Sequence, residues 1–222
     1  MKSKPGITLK MLGCLAVLVL LVIPGIVSMF RTCSDIFTHI GAGNGLRNLG
    51  GALHQYHDDY GCFPPAVTCD ESGKPRHSWR SLDKRLFTSE PETDPYDLSY
   101  AWDSPENLAL NAQFDFMPLA VVGPHAAWSS AGSRSRKDFK DGTSDTVMVI
   151  AVRKSEVGFR EPRDVVFEDG ELTLDGKPLD TSQDLYLLFA DGSVRYFREG
   201  IPKDVLYPML TIDGGEKVDW DF

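Results

Sequence analysis

The residues with the most suggestive chemistry are two histidines and the carboxylates beside them. His54 and His57 lie three positions apart and are followed at once by Asp58 and Asp59. On a helix that spacing puts both imidazoles on roughly one face, and imidazole nitrogen with carboxylate oxygen is a donor set that suits zinc. A closed centre needs further ligands, and neither His77 nor His125 stands at a recognisable spacing from the pair. His54, His57 and Asp58 are therefore the only metal candidates, and no resident metal is expected. Asp141, Asp145 and Asp191 supply hard oxygens of the kind calcium takes. No stretch follows the EF-hand pattern, however, and Asp141-Gly142 and Asp191-Gly192 are first of all turn dipeptides. The motifs G-x-S-x-G, H-E-x-x-H, the phosphate-binding loop and G-x-G-x-x-G are absent. No catalytic residue and no cofactor is expected, and the chain does not read as an enzyme.

The element expected to place these groups is a helix over residues 44–60. Leu46, Leu49, Leu53, Tyr56 and Tyr60 recur at three and four, which makes one apolar stripe. Gly61 then ends the helix and Pro64-Pro65 forbids its continuation. Shorter helices are expected over Ser78–Phe87, after the Ser104 cap with Pro105 in the first turn, and over Lys203–Leu210. Strands are expected at Pro118–Val122, Thr146–Val152, Val165–Phe167 and Glu171–Leu174. Two more, Asp184–Ala190 and Ser193–Phe197, are joined as a hairpin at Asp191-Gly192. Helices first and strands later indicate an α+β fold with helices packed on a mostly antiparallel sheet.

Ahead of that domain, Met11–Phe30 carries no charge, and about 20 apolar residues suffice to cross a bilayer as a helix. Lys2, Lys4 and Lys10 precede it and only Arg31 follows directly. That balance favours an N-terminus in the cytoplasm and a domain delivered to the other side of the inner membrane, periplasmic or otherwise extracytoplasmic. The expected organisation is a cytoplasmic N-terminus 1–10, a transmembrane helix 11–30, a glycine-rich linker 31–45, a domain 46–215 and an acidic tail 216–222. A net charge of -9 over 222 residues argues against nucleic acid, which requires basic patches. Cys62 and Cys69 bracket Phe63-Pro64-Pro65; in an oxidising compartment they could pair, the alternative being two free thiols.

Taken together, several stretches resemble a large planctomycete family of prepilin-like proteins built on a domain of unknown function. They are Asn48-Leu49-Gly50, the run from Ala52 through His54 and His57 to Gly61, Phe63-Pro64-Pro65, Gly73-Lys74-Pro75 and His77-Ser78-Trp79-Arg80. Trp102 to Asn107, Val121 to Pro124, Asp141-Gly142-Thr143-Ser144, Glu161-Pro162-Arg163-Asp164 and Phe189 to Val194, with Asp191-Gly192 at its centre, complete the set. The resemblance implies a type IV pilin or type II secretion pseudopilin-like domain behind an N-terminal membrane helix. It also implies a cleavage site at Gly6-Ile7. There the family pattern has valine and glutamate where this chain has Lys10 and Met11. Met11 cannot form the ion pair that the glutamate is implied to make with a neighbouring subunit. A membrane-anchored, non-enzymatic envelope protein acting in interaction, scaffolding or secretion is therefore expected, with protein partners in the envelope and self-assembly among the implied contacts. The alternatives are a processed pseudopilin that assembles into a secretion pseudopilus, and an extracytoplasmic module that binds a metal or another ligand.

Overall fold

The computed structural model describes residues 38–83, 91–153 and 155–216. The chain divides into two compact units, Met1–Gly41 and Ala42–Phe222, and the sheet and its core belong to the second. Helix α1 is described over residues 38–60. It ends as expected: the Gly61 N–H donates to the His57 carbonyl (2.7 Å) and Gly61 takes a positive φ of 74°. A small antiparallel hairpin comes next, β1 (Val67–Cys69) with β2 (Pro75–Ser78). The helices α2 (Trp79–Leu82) and α3 (Pro105–Leu108) are single turns.

Seven strands build the main sheet: β3 (Phe116–Val122), β4 (Val147–Arg153), β5 (Val165–Glu168), β6 (Glu171–Leu174), β7 (Lys177–Pro178), β8 (Leu185–Phe189) and β9 (Val194–Phe197). Their order is β7-β6-β5-β3-β4-β8-β9. The sheet is mixed, because β3 and β5 run parallel while the other neighbours are antiparallel. Two turns at its edge are Asp169-Gly170 and Asp175-Gly176, all four residues at positive φ between 51° and 72°, the conformation of a tight two-residue hairpin. The last described elements are α4 (Lys203–Leu206) and a 3-10 turn, Tyr207–Leu210.

Both faces of the central strands are buried. Tyr186, Leu188 and Ala190 point into one cluster with Leu46, Leu49 and Leu53 of α1, Phe63, Trp79 and Trp128. Leu185, Leu187 and Phe189 point into another with Met117, Leu119, Leu206, Met209 and Leu210. Side chains alternate across a strand, so β3, β4 and β8 must be apolar on both sides, which is why they read as unbroken hydrophobic runs.

Two expectations are corrected. The apolar run Met11–Phe30 and the Gly6-Ile7 site lie outside the described residues. Among the described residues no helix is long and apolar enough to cross a membrane, and the architecture is mostly strands in a seven-stranded mixed sheet. The described residues therefore hold a seven-stranded mixed sheet covered by one amphipathic helix and single-turn helices, and no transmembrane helix on which the fold is organised. A membrane contacted through a single span is likewise unsupported by the described residues. The physical reason lies in the helices themselves. α1 is amphipathic, with Arg47, Gln55, Asp58 and Asp59 on its exposed side, and the later helices run for one turn each. The glycine-rich linker expected over 31–45 is also different, since it is helical from residue 38.

The helical glycines allow a close approach. A Cβ on Gly50 would lie 3.0 Å from Leu188 Cδ1 and 3.2 Å from the Cα of Gly192, whereas one on Gly51 would meet nothing within 4 Å. Gly50→Leu is therefore expected to destabilise by about 1–3 kcal/mol through overpacking. Gly51→Ala should stabilise by up to about 1 kcal/mol, because alanine is the better helix former. Urea midpoints at constant slope check both; equal shifts would show that α1 does not sit this close to the β8–β9 turn.

Candidate functional site

α1 carries His54, His57 and Asp58 to one place, but what meets them there is a guanidinium. Opposite this end of the helix is a 3-10 turn, Arg136–Asp138, in which the Ser135 N–H donates to Asp138 Oδ2 (2.7 Å) and the Asp138 N–H to the Ser135 carbonyl (2.9 Å). From this turn Arg136 Nη2 reaches His54 Nδ1 at 2.7 Å and Nη1 reaches Asp58 Oδ1 at 2.9 Å. The backbone N–H of Arg136 donates to His57 Nε2 at 3.3 Å, and Ser135 Oγ lies 3.3 Å from the same nitrogen. His57 Nδ1 is 3.8 Å from Asp58 Oδ1. Guanidinium and backbone N–H groups are donors only. His54 Nδ1 and His57 Nε2 are thus acceptors, and each neutral ring carries its proton on the other nitrogen.

Phe63 holds the two rings from below. Its centroid is 6.0 Å from that of His54, 5.0 Å from that of His57 and 6.0 Å from that of Phe139. The Phe63 N–H donates to the Arg134 carbonyl (2.7 Å), so the Phe63-Pro64-Pro65 stretch is tied to the segment that leads into the turn. Burial, and next the charge of Arg136, hold the His54 imidazole below its ordinary value. A cation placed among the two histidines and Asp58 would have to displace the Arg136 side chain. Among the described residues no group of three His, Cys, Asp or Glu side chains is placed to hold a metal ion.

The aspartates do not converge either. Asp141 accepts from the N–H groups of Gly214 and Gly215 (2.8 and 2.9 Å). Asp191 accepts from the Ser193 N–H (2.8 Å), while its own N–H donates to the Thr143 carbonyl (2.9 Å). These contacts bring the Asp141-Gly142 and Asp191-Gly192 stretches side by side as turns. Gly192, at φ 88°, lies against the His54 ring. Cys62, half-buried, and Cys69, exposed, are both free thiols.

A second polar centre is fully interior. Arg80 is completely buried and pairs with Asp164, itself 7% exposed at the side chain. Arg80 also donates to the Pro118 carbonyl (2.8 Å), Ser78 Oγ (2.7 Å) and the Glu161 carbonyl (3.3 Å). Asp164 Oδ1 accepts from the Ala120 N–H (2.7 Å) and Trp79 Nε1 (3.2 Å). Burial pushes the Asp164 carboxyl up and the Arg80 guanidinium down from their ordinary values, and their mutual attraction opposes both shifts. The stretches His77–Arg80 and Glu161–Asp164, far apart in sequence, thus meet in one ion pair. A third tie joins His77 to the Tyr96 hydroxyl (3.0 Å) and the Leu98 carbonyl (3.1 Å). Asn107 Nδ2 closes the same loop by donating to the Asp97, Tyr100 and Ala101 carbonyls.

The structure brings His54, His57 and Asp58 to one place and adds Arg136, which no sequence motif singled out. Arg136 sits among Arg134, Ser135 and Lys137, and nothing local distinguishes the basic residue that crosses 82 positions to His54. No curated protein and no solved structure matches this chain. Residues 43–121, from α1 through most of β3, match the model of a family described as a protein of unknown function (DUF1559).

Proposed function

We propose that this chain is a non-enzymatic interaction protein of the cell envelope, one that works by binding other proteins in scaffolding or secretion. One observation carries the reading. The side chains that suggested chemistry are engaged by other segments of the same chain: His54 and His57 by the Arg136 turn, His77 by Tyr96, Arg80 by Asp164. They hold the fold together instead of facing a substrate. In support, Leu98, Tyr100, Leu108 and Phe114 stay between 43% and 50% exposed within one short stretch, and exposed apolar side chains gathered in one region are a feature of binding surfaces. The collinear resemblance to prepilin-like proteins, which are assembly and secretion components, points the same way.

A photo-crosslinking residue introduced at Tyr100 or Phe114 in living cells tests this reading. Discrete protein adducts at these positions, and none at exposed Gly51, are expected. Absence of adducts at both contradicts the binding role. An extracytoplasmic domain is part of the proposal, so protease added to spheroplasts should digest it; protection in intact spheroplasts would place it inside.

A further inference from the structure

We propose that the contact between α1 and the Arg136 turn is a proton-released latch, which holds Phe63 covered at neutral pH and frees it in mild acid. The geometry sets the direction. Both imidazole nitrogens that face the turn act as acceptors, His54 Nδ1 from Arg136 Nη2 and His57 Nε2 from the Arg136 N–H. A proton on either nitrogen replaces an acceptor by a donor that points at another donor. On His54 it also sets a positive imidazolium 2.7 Å from a positive guanidinium. Both imidazole bonds between the turn and the helix then oppose the contact, leaving the Arg136 Nη1–Asp58 Oδ1 pair at 2.9 Å to hold it.

The groups around His54 are mixed in sign. Asp58 on its own helix and Asp191 on the β8–β9 hairpin favour the proton; Arg136 and the neighbouring His57 oppose it, as does burial. The balance holds the His54 imidazole below its ordinary value. The unfastened state therefore takes up the proton more readily than the fastened one. The latch is fully engaged above the ordinary imidazole value, near 6.5, and weakens as pH falls below it. The core residues Leu46 and Leu49 lie one to two turns earlier on α1, Leu53 stands directly before His54, and none of the three carries a titratable group, so the opening is local. It reaches residues 54–65 and 134–139, and Phe63, now 1% exposed, is the apolar side chain it uncovers.

Hydrogen exchange of the full-length chain at pH about 7.5 and about 5, corrected for the intrinsic pH dependence of exchange, reads this directly. Protection of residues 54–65 and 134–139 should fall about tenfold or more in acid relative to β3, β4 and β8. His54→Asn with His57→Gln places amide oxygens near the two acceptor nitrogens and cannot be protonated, so the double variant should lose that difference. An equal fall in the double variant, or no fall in the wild type, overturns the latch. Imidazole nitrogen shifts of the wild type at neutral pH give a check that needs no variant. They should report His54 protonated on Nε2 and His57 on Nδ1, and the opposite tautomer at either ring overturns it as well.

Discussion

Asp164→Asn is expected to lower the stability of the domain by about 3–5 kcal/mol, because it leaves the Arg80 charge in the interior without its counter-charge. The substitution keeps the size of the side chain, so the loss isolates charge from packing. Arg80 cannot turn to water: its side chain is entirely buried, with the Trp79 ring 4.8 Å from its guanidinium carbon. The carbonyls of Pro118 and Glu161 solvate part of the charge but cannot neutralise it. A double-mutant cycle separates the two effects. In an Arg80→Met background the same change should cost at least about 1 kcal/mol less, since directly bonded residues couple by about 0.5–3 kcal/mol. Strict additivity in urea unfolding would show that the two charges do not depend on each other.

Trp128→Ala is the second large effect, with an expected loss of about 3–5 kcal/mol. Trp128 is 2% exposed. It packs on Trp79 with centroids 4.9 Å apart, and its Nε1 donates to the Met148 carbonyl at 2.8 Å. Its backbone also continues the sheet, with its N–H donating to the Val121 carbonyl (3.1 Å) and its carbonyl accepting from the Gly123 N–H (2.9 Å). The alanine variant keeps these backbone bonds and loses the ring, so the loss reports side-chain packing. Trp128→Phe restores most of the volume and should leave a smaller deficit of about 1–3 kcal/mol, the Met148 carbonyl then lacking its donor. Near-ultraviolet circular dichroism should lose the signal of the Trp pair in both variants. An alanine variant as stable as the wild type would mean that α2 and the 126–128 segment do not meet in the core.

Much of the regular structure was legible because its signals are local. The Leu46, Leu49 and Leu53 stripe marks α1, the unbroken apolar runs mark β4 and β8, and Asp191-Gly192 marks the turn before β9. The polar hairpin of β1 and β2 carries no apolar alternation. It is held by its turn, where Asp70 Oδ1 accepts from the N–H groups of Ser72 and Lys74 (2.9 and 3.0 Å). β7 is two residues long, and Asp175-Gly176 was the one signal that could have found it. The interior role of Asp164 was hidden for a different reason. Nothing local in Glu161-Pro162-Arg163-Asp164 marks the aspartate as interior; only the fold brings Arg80 against it. The seven-stranded mixed sheet was not legible because a resemblance along the chain does not determine how many strands pair, or in which order.

At the candidate site the residue types were legible and their partner was not. Two histidines and an aspartate on one helical face describe a metal centre and a hydrogen-bonded clamp equally well. The choice between them rests on Arg136, whose guanidinium lies 2.7 Å from His54 Nδ1 and 2.9 Å from Asp58 Oδ1, two of the three groups a metal would need. Metal content after equilibrium dialysis of the full-length protein against zinc decides it most directly. The clamp predicts that the wild type retains no stoichiometric zinc. One equivalent of zinc retained by the wild type and lost on His57→Ala would contradict it.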